Sequence, residues 1–418
     1  MPRFPKPPEG SWTEHYPELG TQTVSYEDSI SPEYYEREQA AIFKRAWLNV
    51  GRVEQLPRVG SYFTKDVKAA HAAILVVRTK GGVRAFHNIC RHRGNKLAWS
   101  DDPKQDTAGF CRQFTCKYHG WRYDLDGALT YVQQEGEFFN LDKGKTGLAP
   151  VHCEVWAGFI FVNFAREPEQ SLRDFLGPMV TNLEGYPFDR QTSRFGYSTT
   201  INANWKLYMD AFAEFYHAPV LHAKQSPEKY SSLAQQAGFE APHYQIEGPH
   251  RLVSTSGVRF WEMDTELVKP MEILTRSGLF GPWDASDLGE MPPGVNPGKC
   301  DPWGLDSFQL FPNFVILIWS QGWYLTYHYW PTSYNTHSFE GNVYFLPARN
   351  VRERVAQEMA AVTFKEFGLQ DANTLEATQM MLETRYVDRF HLNDQEILCR
   401  HLHVAVRDWV TAYEGSRA

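Results

Sequence analysis

Three things are scarce in this 418-residue chain: long apolar runs, blocks of like charge, and cysteine. The longest strongly apolar run, FVILIW at Phe314–Trp319, falls far short of the about 20 residues that span a bilayer, so no membrane-crossing helix is expected. Forty-two basic residues face 50 acidic ones for a net charge of -8, and no Lys/Arg run is present that would track a phosphate backbone. Nucleic acid is therefore not an expected partner. The amino-terminal MPRFPKPPEGSW lacks the apolar centre of a secretory signal, and its prolines predict an extended surface arm in a cytoplasmic protein. Six cysteines in so long a chain are too few for a disulfide scaffold, so their spacing is read first for metal ligation. A G-x-G-x-x-G fingerprint after a strand is also missing, as is any other nicotinamide or flavin motif.

Apolar and aromatic residues are plentiful, at 42 % and 15 %, enough for one large or two medium cores. After the arm, SPEYYEREQAAIFKRAW from Ser31 carries an N-cap serine, a proline at the first helical position and a glutamate in the first turn, which predicts a helix. We assign residues 1–46 to this arm and helix, packing on the carboxy-terminal domain. From Trp47 the texture becomes β-rich, with AAILVVRT and VRAFHNIC joined by a Gly81-Gly82 hairpin signal, and residues 47–165 read as a small antiparallel β domain. Residues 166–418 read as an α+β domain of antiparallel sheet and long helices. Its strands include HRLVSTSGVRFWEM and WYLTYHYWPT, with a Gly/Pro-rich loop, LFGPWDASDLGEMPPGVNPGKCDPWG, between them. Three helical patterns close it, Val351–Phe367, Thr374–Phe390 and Asp394–Tyr413.

Two constellations carry chemistry. In the β domain, CRHRGNKL offers Cys90 and His92, and CKYHGW, starting 24 positions after His92, offers Cys116 and His119. One cysteine and one histidine per loop is the ligand set of a Rieske [2Fe-2S] centre, thiolates on one iron and imidazoles on the other. The same four could hold zinc, although the glycines after each histidine suit loops wrapped closely round a cluster. Cys111 is left over and reads as a buried free thiol.

The second constellation is EFYHAPVLH, Glu214–His222, with two histidines five apart around a proline. The segment from a capping Asn204 is expected to run as one helix towards Pro219, placing Asp210, Glu214 and His217 on one face. The proline is expected to end that helix near His217 and free His222 to swing back beside it. Two histidines alone read equally well as core or surface residues.

Together the residues CRHRGN and CKYHGWRYDLDGAL closely resemble the Rieske signature of the ring-hydroxylating oxygenases, catalytic alpha subunits. Asn95 and Tyr118 stand where respiratory Rieske proteins carry a bracing disulfide, so the resemblance is to the oxygenase type. It implies a β Rieske domain followed by a helix-grip catalytic domain of the lipid-transfer shape. It also implies a mononuclear non-heme Fe(II) on two histidines and a carboxylate, with Glu214-x2-His217-x4-His222 matching the front half of that motif. GLQDANTLEATQ resembles the distant ligand segment and offers Asp371 at the mouth of a helix, where it could equally serve as a cap; Glu376 competes for the role. By resemblance Glu214 links His217 to the cluster ligand His119 of a neighbouring subunit, as an electron path. Family members usually have aspartate there, and glutamate is associated with relatives that oxidise quaternary ammonium compounds. Asp210, often asparagine in ring dihydroxylases, either tunes Glu214 or is solvated on the helix.

The implied enzyme takes electrons from a separate NAD(P)H-dependent reductase, with or without a ferredoxin, and uses O2 to hydroxylate an organic substrate. A homotrimer is the implied assembly. Phe212, Ala218 and Phe367 are the pocket candidates, and a hydrophobic aromatic or polycyclic substrate is the favoured expectation. A quaternary ammonium compound is the alternative. A hydrophobic-ligand carrier with an attached redox cluster is the rival from another class.

Overall fold

A computed structural model describes residues 11–222, 241–256, 289–301, 303–320 and 322–417. Extended arm 1–10, the end of the HRLVSTSGVRFWEM strand at 257–263, and the first part of the Gly/Pro-rich loop at 279–288 lie outside the described residues. The chain divides into a unit of residues 43–175 and a second unit formed by the residues before 43 together with 176–418.

The first unit is built on a seven-stranded antiparallel sheet. Its order is Leu48–Arg52, Phe159–Asn163, Pro150–Trp156, Gly82–His87, Ala72–Thr79, Ser61–Val67 and Ala108–Phe110. Ile74, Leu75, Val76 and Val77 are all fully buried, which is why that run is continuously apolar, three of the four β-branched, rather than alternating. A three-stranded sheet of Phe114–Thr115, Arg122–Tyr123 and Leu129–Tyr131 completes the unit. The hairpin pairs Thr79 with Gly82, so the turn itself is Lys80–Gly81, one residue earlier than the glycine pair signals. The unit extends beyond the β-rich run at both ends. The Trp47 indole N–H donates to Gln170 O at 3.1 Å, and Asn163 Nδ2 donates to Arg45 O at 2.7 Å.

In the second unit, helix α1 (Pro32–Glu38) is capped as expected by Ser31, whose hydroxyl accepts from Tyr34 N–H. Its last residue, Glu38, forms a fully buried ion pair with Lys206 at 2.6 Å. Trp205 Nε1 donates to the same carboxylate at 3.1 Å, so the buried charge is both paired and hydrogen-bonded. The sheet is again antiparallel and seven-stranded. Its order is Ser193–Ile201, Thr336–Phe345, Tyr324–Ser333, Phe314–Trp319, Trp303–Leu310, His250–Ser256 and His243–Glu247.

Four further helices matter for the site: α2 (Trp205–Asp210), α3 (Ala218–Leu221), α4 (Val351–Leu382) and α5 (Ile397–Gly415). The first two of the three expected C-terminal helices are one, since α4 runs unbroken for 32 residues through GLQDANTLEATQ, a segment that contains no proline. Gly368 in its interior leaves room for Tyr208, whose hydroxyl donates to Gly368 O; a Cβ there would lie 3.2 Å from that oxygen. Among the described residues no helix is long and apolar enough to cross a membrane.

Candidate active site

Two loops of the first unit fold alike. Gly94 N–H donates to Cys90 O and Gly120 N–H to Cys116 O, both at 3.0 Å; Cys90 N–H donates to Asn95 O and Cys116 N–H to Trp121 O, both at 2.8 Å. Each glycine has a left-handed φ, +75° and +70°, the conformation that lets four residues reverse so tightly. Both cysteines are 2 % exposed, whereas both histidines are half-buried, their rings 4.6 Å apart between centroids. The Cys90 sulfur lies 3.4 Å from the Tyr123 hydroxyl, and the His92 ring stacks on Trp121 at 4.8 Å. His92 Nδ1 is buried without a hydrogen-bond partner. A buried unpaired imidazole nitrogen is costly unless it ligates something, so this donor set fits a cluster with inner thiolates and outer imidazoles.

In the second unit the histidine-bearing segment departs from the expected single helix. Asn204 does cap α2, accepting from Lys206 N–H at 2.9 Å, but the helix stops at Asp210. The carbonyls freed there find other donors: Cys399 Sγ lies 3.6 Å from Asp210 O, and the Ser307 hydroxyl donates to Phe212 O at 3.2 Å. Residues 211–217 are turn and irregular chain, so Asp210 and Glu214 do not share a helical face with His217. Pro219 does not end a helix either. It lies in the first turn of α3, where its missing N–H costs nothing. His217 is the N-cap and His222 the C-cap of that single turn. The five-residue spacing therefore brackets one short helix and brings the two rings to 5.2 Å between centroids, at 76°.

Asp371 completes the group. It lies mid-way along α4 rather than at a helix mouth, 2 % exposed, so it caps nothing. Its Oδ1 is 3.3 Å from His222 Nε2 and 3.7 Å from His217 Nε2. That oxygen is buried with no hydrogen-bond donor, and the ligand atoms of the three residues lie within 4.8 Å of one another. Two imidazole nitrogens and an orphaned carboxylate oxygen fit a divalent iron held on one face with positions left open. Glu376, the competing ligand, instead accepts from Asn202 N–H and Nδ2 at 2.8 and 3.1 Å.

Glu214 Oε1 is 2.6 Å from His217 Nδ1, and Oε2 accepts the His217 backbone N–H at 3.1 Å. Asp210 is not solvated on a helix surface. Its Oδ2 lies 3.4 Å from His403 Nε2, and His403 Nδ1 lies 2.7 Å from Asp28 Oδ2. Burial opposes charge on His403, but the flanking Asp28 and Asp210 carboxylates carry its imidazole up to about 10. Burial pushes the Asp210 carboxyl up against the pull of His403.

The triad opens on a cavity of about 120 Å³ lined by Phe212, Ala218 and Phe367 together with Phe215, Trp319 and Tyr327, among others. Phe367 meets the His222 ring edge-on at 4.7 Å. Among the described lining residues there is no lysine or arginine.

The family model described as ring hydroxylating alpha subunit (catalytic domain) matches residues 188–412, and that of the Rieske [2Fe-2S] domain matches residues 46–148. The chain belongs to the ring-hydroxylating alpha subunits. It is similar to the glycine betaine monooxygenase oxygenase subunit of Chromohalobacter salexigens, 35 % identical over 213 residues, a match covering 50 % of this chain and 44 % of that protein. The matched part thus spans less than half of that relative. In fold it is similar to a quaternary ammonium Rieske monooxygenase studied for carnitine oxidation and inter-subunit electron transfer (TM-score 0.73, 19 % identity, 97 % and 99 % of the two chains). It is similar likewise to naphthalene 1,2-dioxygenase from Rhodococcus sp. (TM-score 0.75, 18 % identity, 96 % and 98 %).

Within this family frame, sequence reasoning missed Gln370, whose Oε1 lies 2.8 Å from His222 Nδ1, and the Asp28–His403 pair behind Asp210. Gln370 stands directly before Asp371, so its signal was adjacency. His403 carried none.

Proposed function

We propose that this chain is the oxygenase component of a Rieske-type monooxygenase whose substrate is a small quaternary ammonium compound, hydroxylated or oxidatively demethylated beside its cationic nitrogen. The observation that carries the oxygenase reading is the convergence of His217 Nε2, His222 Nε2 and the donorless Asp371 Oδ1 on the aromatic cavity. A carrier with an attached cluster has no use for such a ligand set.

For the substrate, the aromatic or polycyclic ring compound favoured from sequence gives way to the quaternary ammonium alternative. The glycine betaine relative supports this, as does glutamate at 214. The cavity supports it physically. The aromatic residues Phe212, Phe215, Trp319 and Tyr327 line the cavity, the side-chain type that attracts a trimethylammonium group, and no lysine or arginine among the described lining residues opposes its charge. Bound iron would activate O2 with electrons relayed from the cluster. The chain's own residues hold the substrate, keep water out and fix the ligand imidazoles by their outer nitrogens. Glu214 is assigned the bridge between His217 and His119 of a neighbouring copy, in a homotrimer. A separate reductase, with or without a ferredoxin, is the proposed electron source, in keeping with a sequence that carries no nicotinamide or flavin motif.

The test is an anaerobically reconstituted protein with a surrogate reductase, offered glycine betaine, carnitine and choline beside naphthalene and biphenyl. O2-dependent loss of a trimethylammonium compound, with its product identified by mass spectrometry, is the expected result. Turnover of the ring compounds alone would overturn the substrate reading. Tight ligand binding with about two irons per chain and no turnover would replace the enzyme with the carrier.

A further inference from the structure

The His222 imidazole is hydrogen-bonded at one nitrogen and faces a carboxylate oxygen with the other, both from two successive residues of one helix. Nδ1 lies 2.8 Å from Gln370 Oε1 and Nε2 lies 3.3 Å from Asp371 Oδ1, and both partners belong to α4. Successive residues on a helix point about 100° apart, so the pair forms a fork around the ring. His222 is part-buried beside Phe367, which covers it edge-on. We infer that Gln370 is a positioning residue of the metal site: its amide oxygen holds His222 as the Nδ1–H tautomer and thereby keeps the Nε2 lone pair aimed at the position shared with Asp371.

Tautomer chemistry supplies the argument. A neutral imidazole carries one N–H and one lone pair, and a ring nitrogen hydrogen-bonded to an amide oxygen is the one that carries the proton, because that oxygen can only accept. With the amide oxygen at Nδ1, the proton resides there and Nε2 is left as donor to the metal. Without it, the ring can protonate at Nε2 and bond Asp371 instead, which would remove two ligands at once by pairing them with each other.

The two histidines are also supported unequally. His217 leans on the Glu214 carboxylate at 2.6 Å and His222 on a neutral amide at 2.8 Å. A carboxylate raises the basicity of the imidazole it accepts from more than an amide does. The geometry thus places the stronger donor on the side assigned to electron entry, while Gln370 orients its ring without adding charge to the site.

This inference rests on the reading of the triad as an iron site, and the measurement separates the two. Iron(II) affinity is obtained by chelator competition on apoprotein, with the visible Rieske spectrum and far-UV circular dichroism as folding controls. Gln370→Leu, which keeps the bulk and removes the acceptor, should bind iron about 10- to 100-fold more weakly. Gln370→Glu, which restores an acceptor, should recover affinity to within a few-fold of the wild type, with both controls unchanged for both variants. Wild-type affinity in Gln370→Leu overturns the inference, as does an equal loss in the two variants, which would make the residue's role one of packing. Should the wild type itself bind no iron beyond the cluster, the proposed function falls first, and the inference with it.

Discussion

Glu214 grips His217 at two points, ring Nδ1 at 2.6 Å and backbone N–H at 3.1 Å, so the carboxylate fixes both the imidazole and the start of the turn that carries it. Glu214→Gln keeps an acceptor oxygen but loses the charge. It should retain both metal centres while reductase-driven turnover falls by about two orders of magnitude or more, measured as O2 uptake against iron content. Near-normal turnover would remove Glu214 from the electron path.

Asp371→Ala takes away the carboxylate oxygen that no protein donor meets. Iron should drop from about three per chain to about two, the pair belonging to the cluster, with the visible Rieske spectrum unchanged. Loss of both signals, or of neither, contradicts the ligand assignment.

Trp319 faces the cavity and stacks on Trp323 at 5.1 Å. A cation–π contact is worth roughly 0.5–2 kcal/mol. Trp319→Leu should therefore raise KM for a trimethylammonium substrate by roughly 2- to 30-fold. The affinity for a neutral tert-butyl analogue should change less; equal losses for the two ligands would mean that the ring supplies only apolar area.

His403 sets a pH dependence of stability. Its imidazole stands at about 10 in the folded chain against an ordinary 6.5, because burial is outweighed by Asp28 and Asp210. A group raised on folding stabilises fully below its unfolded value, and that contribution fades as the pH climbs through its folded value. Melting temperature should accordingly decline between pH 6.5 and 10, and His403→Gln should start lower and lose less across that window. Parallel melting curves in the two proteins would rule out the imidazolium as the source.

Gly120 carries φ +70° with nothing within 4 Å of where a Cβ would sit. Within the protein itself the penalty for Gly120→Ala is backbone strain of about 1 kcal/mol. The cluster should still assemble, with a small drop in its thermal retention followed by visible absorbance; complete failure to assemble would mean that the loop tolerates far less than its open surroundings indicate.

Short-range chemistry was legible in the sequence, and long-range compensation was not. Cys90, His92, Cys116 and His119 stood out because a cluster needs those side chains a few residues apart in tight loops. His217 and His222 stand out only through the resemblance, since two histidines five apart read by themselves as core or surface residues. By contrast the early end of α2 depends on Ser307, 95 positions from Phe212, and on Cys399, 189 positions from Asp210. Local propensity carries no trace of either. In sequence Asp210 reads as tuning Glu214 or as solvated on the helix; its actual partner His403, itself tied to Asp28 across 375 positions, leaves no local trace. The gap expected between Phe367 and Thr374 is helical in the structure, and Gly368 within it makes room for Tyr208 on a separate helix, a fit that local sequence does not show.

Asn204, at the head of the histidine segment, also donates its backbone N–H to Gln379 Oε1 on α4 at 2.9 Å, and Gln379 lies eight residues beyond Asp371. The rod that supplies the carboxylate therefore also anchors the strand-to-helix corner that delivers the imidazoles, as two teeth of one comb. Deleting a single residue between 371 and 379 would swing Asp371 about 100° around the rod relative to that anchor. A change of length there shifts Asp371 against its anchor, whereas a substitution at any residue of the span other than Asp371 and Gln379 leaves the spacing of those two along the rod unchanged.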